Sequence, residues 1–183
     1  MARYTKPELR EQIKEEIQAS DKGGRKGQWS ARKSQLLTQE YKRRGGGFEG
    51  PKDERQKSLQ RWGNEKWQTK EGDTRARHGG TTSRYLPKRA WEELSDAEKR
   101  ATDAKKREAS RSGRQYVSNT QPAKRARKDA TTAERLSELP VAEAAKLVRG
   151  LDTRQLKAAL RTERDGKARK TLIQRLEAEL DRR

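Results

Sequence analysis

The sequence predicts a mainly α protein: an irregular, Gly/Trp-containing helical N-terminal domain, a small three-helix C-terminal module, and a long basic helix or linker joining them. Three observations predict it. Apolar residues recur every three or four positions at both ends of the chain, the period of a helix with one buried face. Only 28% of the 183 residues are hydrophobic and 41% are charged, which is near the composition of disordered chains and rules out one large core. Yet Trp29, Trp62, Trp67 and Trp91, with Tyr4, Tyr41, Phe48, Tyr85 and Tyr116, can seed modest cores, each ring burying roughly 150–250 Å².

The elements follow in order. Thr5 and Glu8 have capping-box spacing, Pro7 suits a first turn, and Leu9, Ile13 and Ile17 recur every four residues, so a first helix starts there. The Gly-rich run Asp21–Gly27 ends it. Ser30 caps a second helix carrying Leu36, Leu37 and Tyr41, and Gly45–Gly47 terminate it. A short third helix is expected from Asp53 to Trp62, with Leu59 and Trp62 on one face. Residues 63–86 show no period and are broken by Gly63, Gly72, His78, Gly79 and Gly80, which reads as a loop with short strand-like pieces. Pro87 opens a helical stretch through Trp91 and Leu94. A second capping box, Ser95–Glu98, starts a Lys/Arg/Ala-rich helix to about Ser110 with almost no apolar face. Such a helix is either a solvated spacer or lies along a polyanion.

Composition shifts near residue 130. Residues 1–130 hold 34 Lys+Arg, 19 Asp+Glu and every aromatic side chain; residues 131–183 hold 13 and 9, with a regular Leu/Ala/Val pattern. The expected division is a basic Trp/Gly-containing helical domain over 1–120, a basic linker over 121–130 and a helical module over 131–183. In that module Thr131 and Glu134 repeat the capping spacing, and Val141–Arg149 stops at Gly150. Asp152 caps Arg154–Leu160, and Leu172, Ile173, Leu176 and Leu180 form one face of a last helix.

Charge narrows the function classes. With 47 Lys+Arg against 28 Asp+Glu the formal charge is +19, which draws a protein toward polyanions whatever its fold. DNA is the first expected partner, RNA the second; no amphipathic helix has a broad Trp/Phe/Leu face for a membrane. The chain has no Cys and one histidine, His78, so thiolate and most histidine-based metal sites and catalysis drop out. No cofactor, metal or small-molecule substrate is expected. Carboxylates sit in helical salt-pairing patterns such as Glu11, Glu15 and Glu16 near Lys14, and no nucleophile set is visible. The enzyme reading falls away.

Several strings carry a resemblance: PELREQIKEEI, DKGGRKGQWSARKSQLLTQEYKRRGGGF, QKSLQRWGNEKWQTK, TTSRYLPKRAWEELS and EKRATDAKKREASRSGRQYV. Over about residues 4–128 the chain resembles an uncharacterised family of small basic proteins shared by bacteria and large DNA viruses. The resemblance implies abundance beside packaged DNA and no known catalysis. The end of the chain, GLDTRQLKAAL followed by GKARKTLIQRLEAEL, is similar to helix-extension-helix modules of the SAP and Rho N-terminal type, which commonly bind DNA or RNA. That likeness puts Lys167, Arg169 and Lys170 in the binding turn, while the usual Gly-Leu step between the helices is missing. Trp91–Lys99 echoes one strip of the HMG box, but nothing upstream matches that fold.

The candidate contacts are cationic. Arg25 and Lys26, in a glycine loop leading into a helix, suit a phosphate at free N–H groups; a flexible turn beside a buried Trp29 is the alternative, and the spacing is not a Walker motif. Arg43 and Arg44 end a helix, where the macrodipole alone would favour them. Arg75, Arg77 and Arg84 around His78 read as a mobile basic arm or a solvated loop. The densest runs are Lys105, Lys106, Arg107, Arg111 and Arg114, then Lys124, Arg125, Arg127 and Lys128, where acids are too few for pairing. Lys124–Lys128 also reads as a nuclear import signal. Trp29, Trp62 and Trp91 are expected in cores, and Trp67, in polar surroundings, as a base-stacking residue. The chain is expected to be a non-enzymatic, largely sequence-non-specific DNA-coating protein in the cytoplasm at the nucleoid, or in a virion or nucleus. An RNA- or ribosome-associated binder and a protein-interaction adaptor are the alternatives.

Overall fold

A computed structural model describes residues 3–51 and 54–183, without the side chains of Arg55 and Leu59. The protein is mainly α, with nine α-helices and a few two-residue strands among the described residues. It forms two compact units, Met1–Trp67 and Gln68–Arg183.

The first unit holds α1 (Pro7–Ala19), α2 (Ala31–Arg43) and α3 (Glu54–Asn64). Pro7 opens α1 as expected, but the Thr5–Glu8 capping box does not form: Lys6 is the N-cap, without a side-chain cap. The Thr5 hydroxyl instead accepts from the Gly47 N–H at 2.7 Å, beside an antiparallel pairing of Arg3–Tyr4 with Phe48–Glu49. Ser30 does cap α2, accepting from the Lys33 N–H. The Asp53 start and the Leu59 face expected for α3 lie outside the described residues.

The core of this unit is aromatic. Ile13, Leu37 and Tyr41 are buried, with Tyr4, Leu9, Ile17, Trp29 and Phe48 packed around them. Tyr4, Tyr41 and Phe48 meet with ring centroids 5.5–5.9 Å apart, two of the pairs edge-on, the arrangement that ring quadrupoles favour. The Tyr41 hydroxyl accepts from the Lys6 N–H and donates to the Gly47 carbonyl, both at 3.0 Å. A Cβ on Gly46 would lie 2.2 Å from the Tyr41 ring, so the three-glycine run both stops α2 and lets backbone lie against that ring.

The second unit begins with a hairpin, Arg77–His78 against Thr81–Thr82, turned by Gly79 and Gly80 at φ +53° and +82°. Then come α4 (Lys88–Glu92), α5 (Asp96–Arg111), α6 (Gln121–Glu138), α7 (Val141–Leu147) with a 3-10 turn at Val148–Gly150, α8 (Thr153–Asp165) and α9 (Lys170–Asp181). The Ser95 and Asp152 caps form, each as a full capping box.

α6 runs unbroken through the segment 121–130, which composition alone marks as a linker. Ala123, Ala126 and Ala130 are buried with Leu86, Ala90, Trp91 and Leu94. One and two turns on, Ala133 and Leu136 join Ala144, Val148, Leu151, Leu156, Leu172 and Leu176. Thr131 is therefore mid-helix and caps nothing. The buried stripe is alanine at three- and four-residue spacing, which binds neighbouring helices closely without the large apolar side chains that mark a core in a sequence.

Candidate nucleic-acid interface

The basic candidates divide into those that face inward and those that face out. Inward cations hold backbone carbonyls. Lys33, 0% exposed, sits one turn before Leu37 and two before Tyr41. Its ammonium donates to the carbonyls of Gln18, Ser20 and Arg25 at 3.0, 2.8 and 2.9 Å. Burial pushes its pKa below the ordinary lysine value, with Asp21 opposing. The last carbonyls of α1 and the glycine loop are thus satisfied by one side chain, as a helix C-terminus requires.

That clamp changes the reading of the loop. The N–H groups of Gly24, Gly27 and Gln28 already donate to the Asp21, Gln18 and Arg25 carbonyls, and the Ser30 hydroxyl donates to the Gly23 carbonyl at 2.7 Å. These N–H groups of the expected cradle are already taken. Arg25, half-buried, and Lys26, exposed, remain as side-chain charges on a folded loop.

At the other end of α2 the cations serve an ion-pair network. Arg43 binds Glu40 through Nε at 2.8 Å and Nη2 at 2.5 Å. Arg44 binds Glu40 at 2.7 Å and reaches Glu16 of α1 at 2.7 Å. The two guanidiniums hold the Glu40 carboxyl down at about 2. Arg43 and Arg44 are therefore joined to acids and form no open basic patch.

In the second unit Arg84 is the clearest correction. Expected on a mobile arm, it is 8% exposed, and its guanidinium donates to the Val117 and Ser118 carbonyls at 2.9 and 3.3 Å. Burial pushes its pKa below the usual arginine value while Asp103 opposes. Its own N–H donates to Asp103 of α5 at 2.8 Å. Arg77 is half-buried on the hairpin and Arg75 exposed before it, where His78 Nε2 lies 2.8 Å from the Arg75 carbonyl. α5 is neither a free spacer nor uniformly solvated. Thr102, Asp103 and Ser110 are buried, Ser110 accepting from the Thr82 N–H and Thr102 meeting Thr120 at 2.7 Å. Its inner face is built from hydrogen bonds.

The C-terminal turn behaves likewise. Lys167 donates to the Ser137 carbonyl at 2.7 Å. Arg169 donates to the Leu139 carbonyl at 2.6 Å and pairs with buried Glu163 at 2.7 Å. Arg169's hydrogen bonds, chiefly, lower the Glu163 carboxyl below 4.5. Two of the three cations expected to contact nucleic acid thus close the end of α6, Arg169 half-buried and Lys167 exposed, and Lys170 is exposed beside them.

What remains outward is concentrated on α5, α6 and the segment joining them. Lys105, Arg107, Arg111, Arg114, Lys124, Arg125, Arg127 and Lys128 are exposed; Arg107 lies 3.9 Å from Asp103, and half-buried Lys106 donates to the Gln115 carbonyl at 2.6 Å. From Ala109 to Lys128 the sequence carries six cations and no acid.

The aromatics sort differently from expectation. Trp91 is core, its indole donating to the Gln68 carbonyl at 2.9 Å, while Trp29 and Trp62 are half-buried. Trp67 stacks on Trp62 at 5.1 Å and donates to Glu65 at 2.6 Å, so one face of the expected base-stacking ring is already covered. Tyr116, counted with the core aromatics, is 84% exposed. The first unit also has an open groove of about 1,310 Å³ walled by aromatic, polar and charged side chains, Trp29, Thr38, Phe48, Trp62, Arg10 and Lys42 among them. No helix among the described residues is long and apolar enough to cross a membrane.

Residues 4–162 match the model of a family of unknown function, DUF5872. The protein belongs to that family. No curated protein and no solved structure matches it. The DUF5872 match reaches past the 4–128 resemblance, through α6 and α7 and most of α8, and it ends one residue before Glu163. The clamped turn and α9 lie beyond it.

The sequence reading missed Lys33, Asp103 and Glu163 as organising residues. A signal was present: each is a charge placed on the stripe that the helix buries, Lys33 in line with Leu37 and Tyr41, and Glu163 in line with Leu156 and Ala159.

Proposed function

We propose that the protein is a non-enzymatic nucleic-acid binder that coats DNA largely without sequence preference, through the outer face of α5 and α6. One observation carries the reading. α6 turns Ala123, Ala126 and Ala130 inward and leaves Lys124, Arg125 and Lys128 exposed with no side-chain hydrogen bond or ion pair among the described residues. Exposed cations on a rigid helix neutralise phosphates and release counterions, which gives affinity without base readout. The SAP-like likeness of the C-terminal module gives that module a supporting role in this scheme, with Lys167 and Lys170 exposed and Arg169 committed to Glu163 and the Leu139 carbonyl. A protein that coats DNA belongs at the nucleoid or beside packaged viral DNA.

The test is a fluorescence-anisotropy titration of labelled duplex DNA and matched RNA across ~50–300 mM salt. Wild type should bind duplex DNA at low salt with a steep log–log loss. Replacing Lys124, Arg125 and Lys128 together by Gln should reduce that slope by about 0.9 for each phosphate no longer neutralised. Stronger binding to RNA would move the reading to an RNA-associated protein. A triple variant that binds as wild type would remove this face as the interface.

A further inference from the structure

We propose that Tyr116 is a stacking platform for an unpaired base, so that the protein holds single-stranded nucleic acid by a contact it does not make with a duplex. The inference rests on the nucleic-acid reading and goes beyond it in naming the form of the strand.

Three observations meet at this residue. The first is exposure: Tyr116 is 84% exposed, while every other aromatic side chain of the protein is buried or half-buried. An isolated ring in water gains nothing for folding.

The second is that the ring stands on a fixed base. α5 ends with Gly113 at φ +80°, its N–H donating to the Ser110 carbonyl and the Arg114 N–H to the Ala109 carbonyl, a glycine-closed helix end. Lys106 then holds the Gln115 carbonyl, Arg84 holds those of Val117 and Ser118, and Thr102 meets Thr120. The carbonyls on both sides of Tyr116 are tied to inward cations, so the backbone beneath the ring is ordered before any partner arrives. Pre-ordering removes part of the entropy that binding would otherwise cost.

The third is charge. Tyr116 lies inside the acid-free stretch from Ala109 to Lys128, with Arg111 and Arg114 exposed before it and Lys124 and Arg125 exposed after it. An exposed aromatic ring flanked by exposed cations fits a strand whose phosphates are held while a base stacks. An acidic protein surface would satisfy the cations, but it offers no flat π-face for the ring. Bases within a duplex are stacked on each other, so an unpaired base is the occupant the ring can take.

The full-length wild type, Tyr116→Ala and Tyr116→Trp are titrated by anisotropy against labelled oligothymidylate and against a duplex of equal length, at one salt concentration. Tyr116→Ala should weaken single-strand binding about tenfold and leave duplex binding within about twofold, since it removes no charge. Tyr116→Trp should keep or improve single-strand affinity. Circular dichroism melts of the three should coincide. Single-strand affinity unchanged in Tyr116→Ala, or reduced equally for both forms, overturns the stacking role while the coating function stands. A wild type that binds neither form removes both, and points to a protein partner at Tyr116.

Discussion

Lys33, Arg84 and Arg169 on one side, and Lys124, Arg125 and Lys128 on the other, are the same residue types put to opposite uses. The first three are drawn inside and hold carbonyls at the ends of helices and in loops; the second three ride the outer face of one helix. The difference lies in the neighbouring stripe. An inward cation falls where the helix or turn buries its other side chains, so it must be hydrogen-bonded or be left uncompensated. An outward one alternates with alanines and faces solvent. In a chain with few apolar residues, long basic side chains do internal work that larger cores assign to leucines, and net charge therefore overstates the binding surface.

The comparison is broken most forcefully at Arg169. Arg169→Met leaves Glu163 buried without its partner and frees the Leu139 carbonyl, and should destabilise the protein by about 4 kcal/mol at neutral pH, read by urea unfolding. The pH dependence has a definite sign. Arg169 lowers the Glu163 carboxyl below 4.5, so the pair's contribution is complete above that value and is lost as pH falls through the lower folded value. The gap between wild type and variant should therefore narrow as the medium is acidified below pH 4.5.

Next in size is Lys33→Met. It preserves the packing of the side-chain stem and removes three hydrogen bonds from one ammonium. Because the partners are neutral carbonyls, and those of Gln18 and Arg25 still accept from the Gly27 and Gln28 N–H groups, the loss should be smaller, about 3 kcal/mol, with amide exchange accelerating across the loop 21–29. An unchanged melt would show that the loop does not need its cation.

The smallest effect belongs to the outer face. Replacing Lys124, Arg125 and Lys128 by Gln should shift stability by no more than about 0.5 kcal/mol, even where it weakens DNA binding. A large destabilisation would mean that the outward set also supports the fold.

Most of the helical outline was legible, for identifiable reasons. Ser30, Ser95 and Asp152 signal their caps through side chains that accept from nearby N–H groups, and Pro7 marks its turn. The Thr5 box was not legible, because the competing donor, Gly47, is 42 residues away. The continuity of α6 was hidden too, since its stripe is alanine and its cations resemble a linker. Of the candidate site, the runs on α5 and α6 were visible as charge, whereas the fates of Arg84 and Arg169 depended on carbonyls contributed by distant turns. Tyr116 was visible as an aromatic but not as an exposed one, because its neighbours are fixed through their backbone, which carries no sequence signature.

The unbroken α6 also sets the order in which the second unit can be completed during synthesis. α4 packs against α6 around Ala123, Ala126 and Ala130, and α8 against it around Ala133 and Leu136. When α4 and α5 leave the ribosome, the alanine stripe they need has not been translated; when α6 emerges, the helix that covers its far end is still to come. The cluster of α4 with the first turns of α6 can close once Ala130 is out, whereas the cluster around Ala133 and Leu136 must wait for Leu172 and Leu176 of α9, so one helix is buried in two instalments.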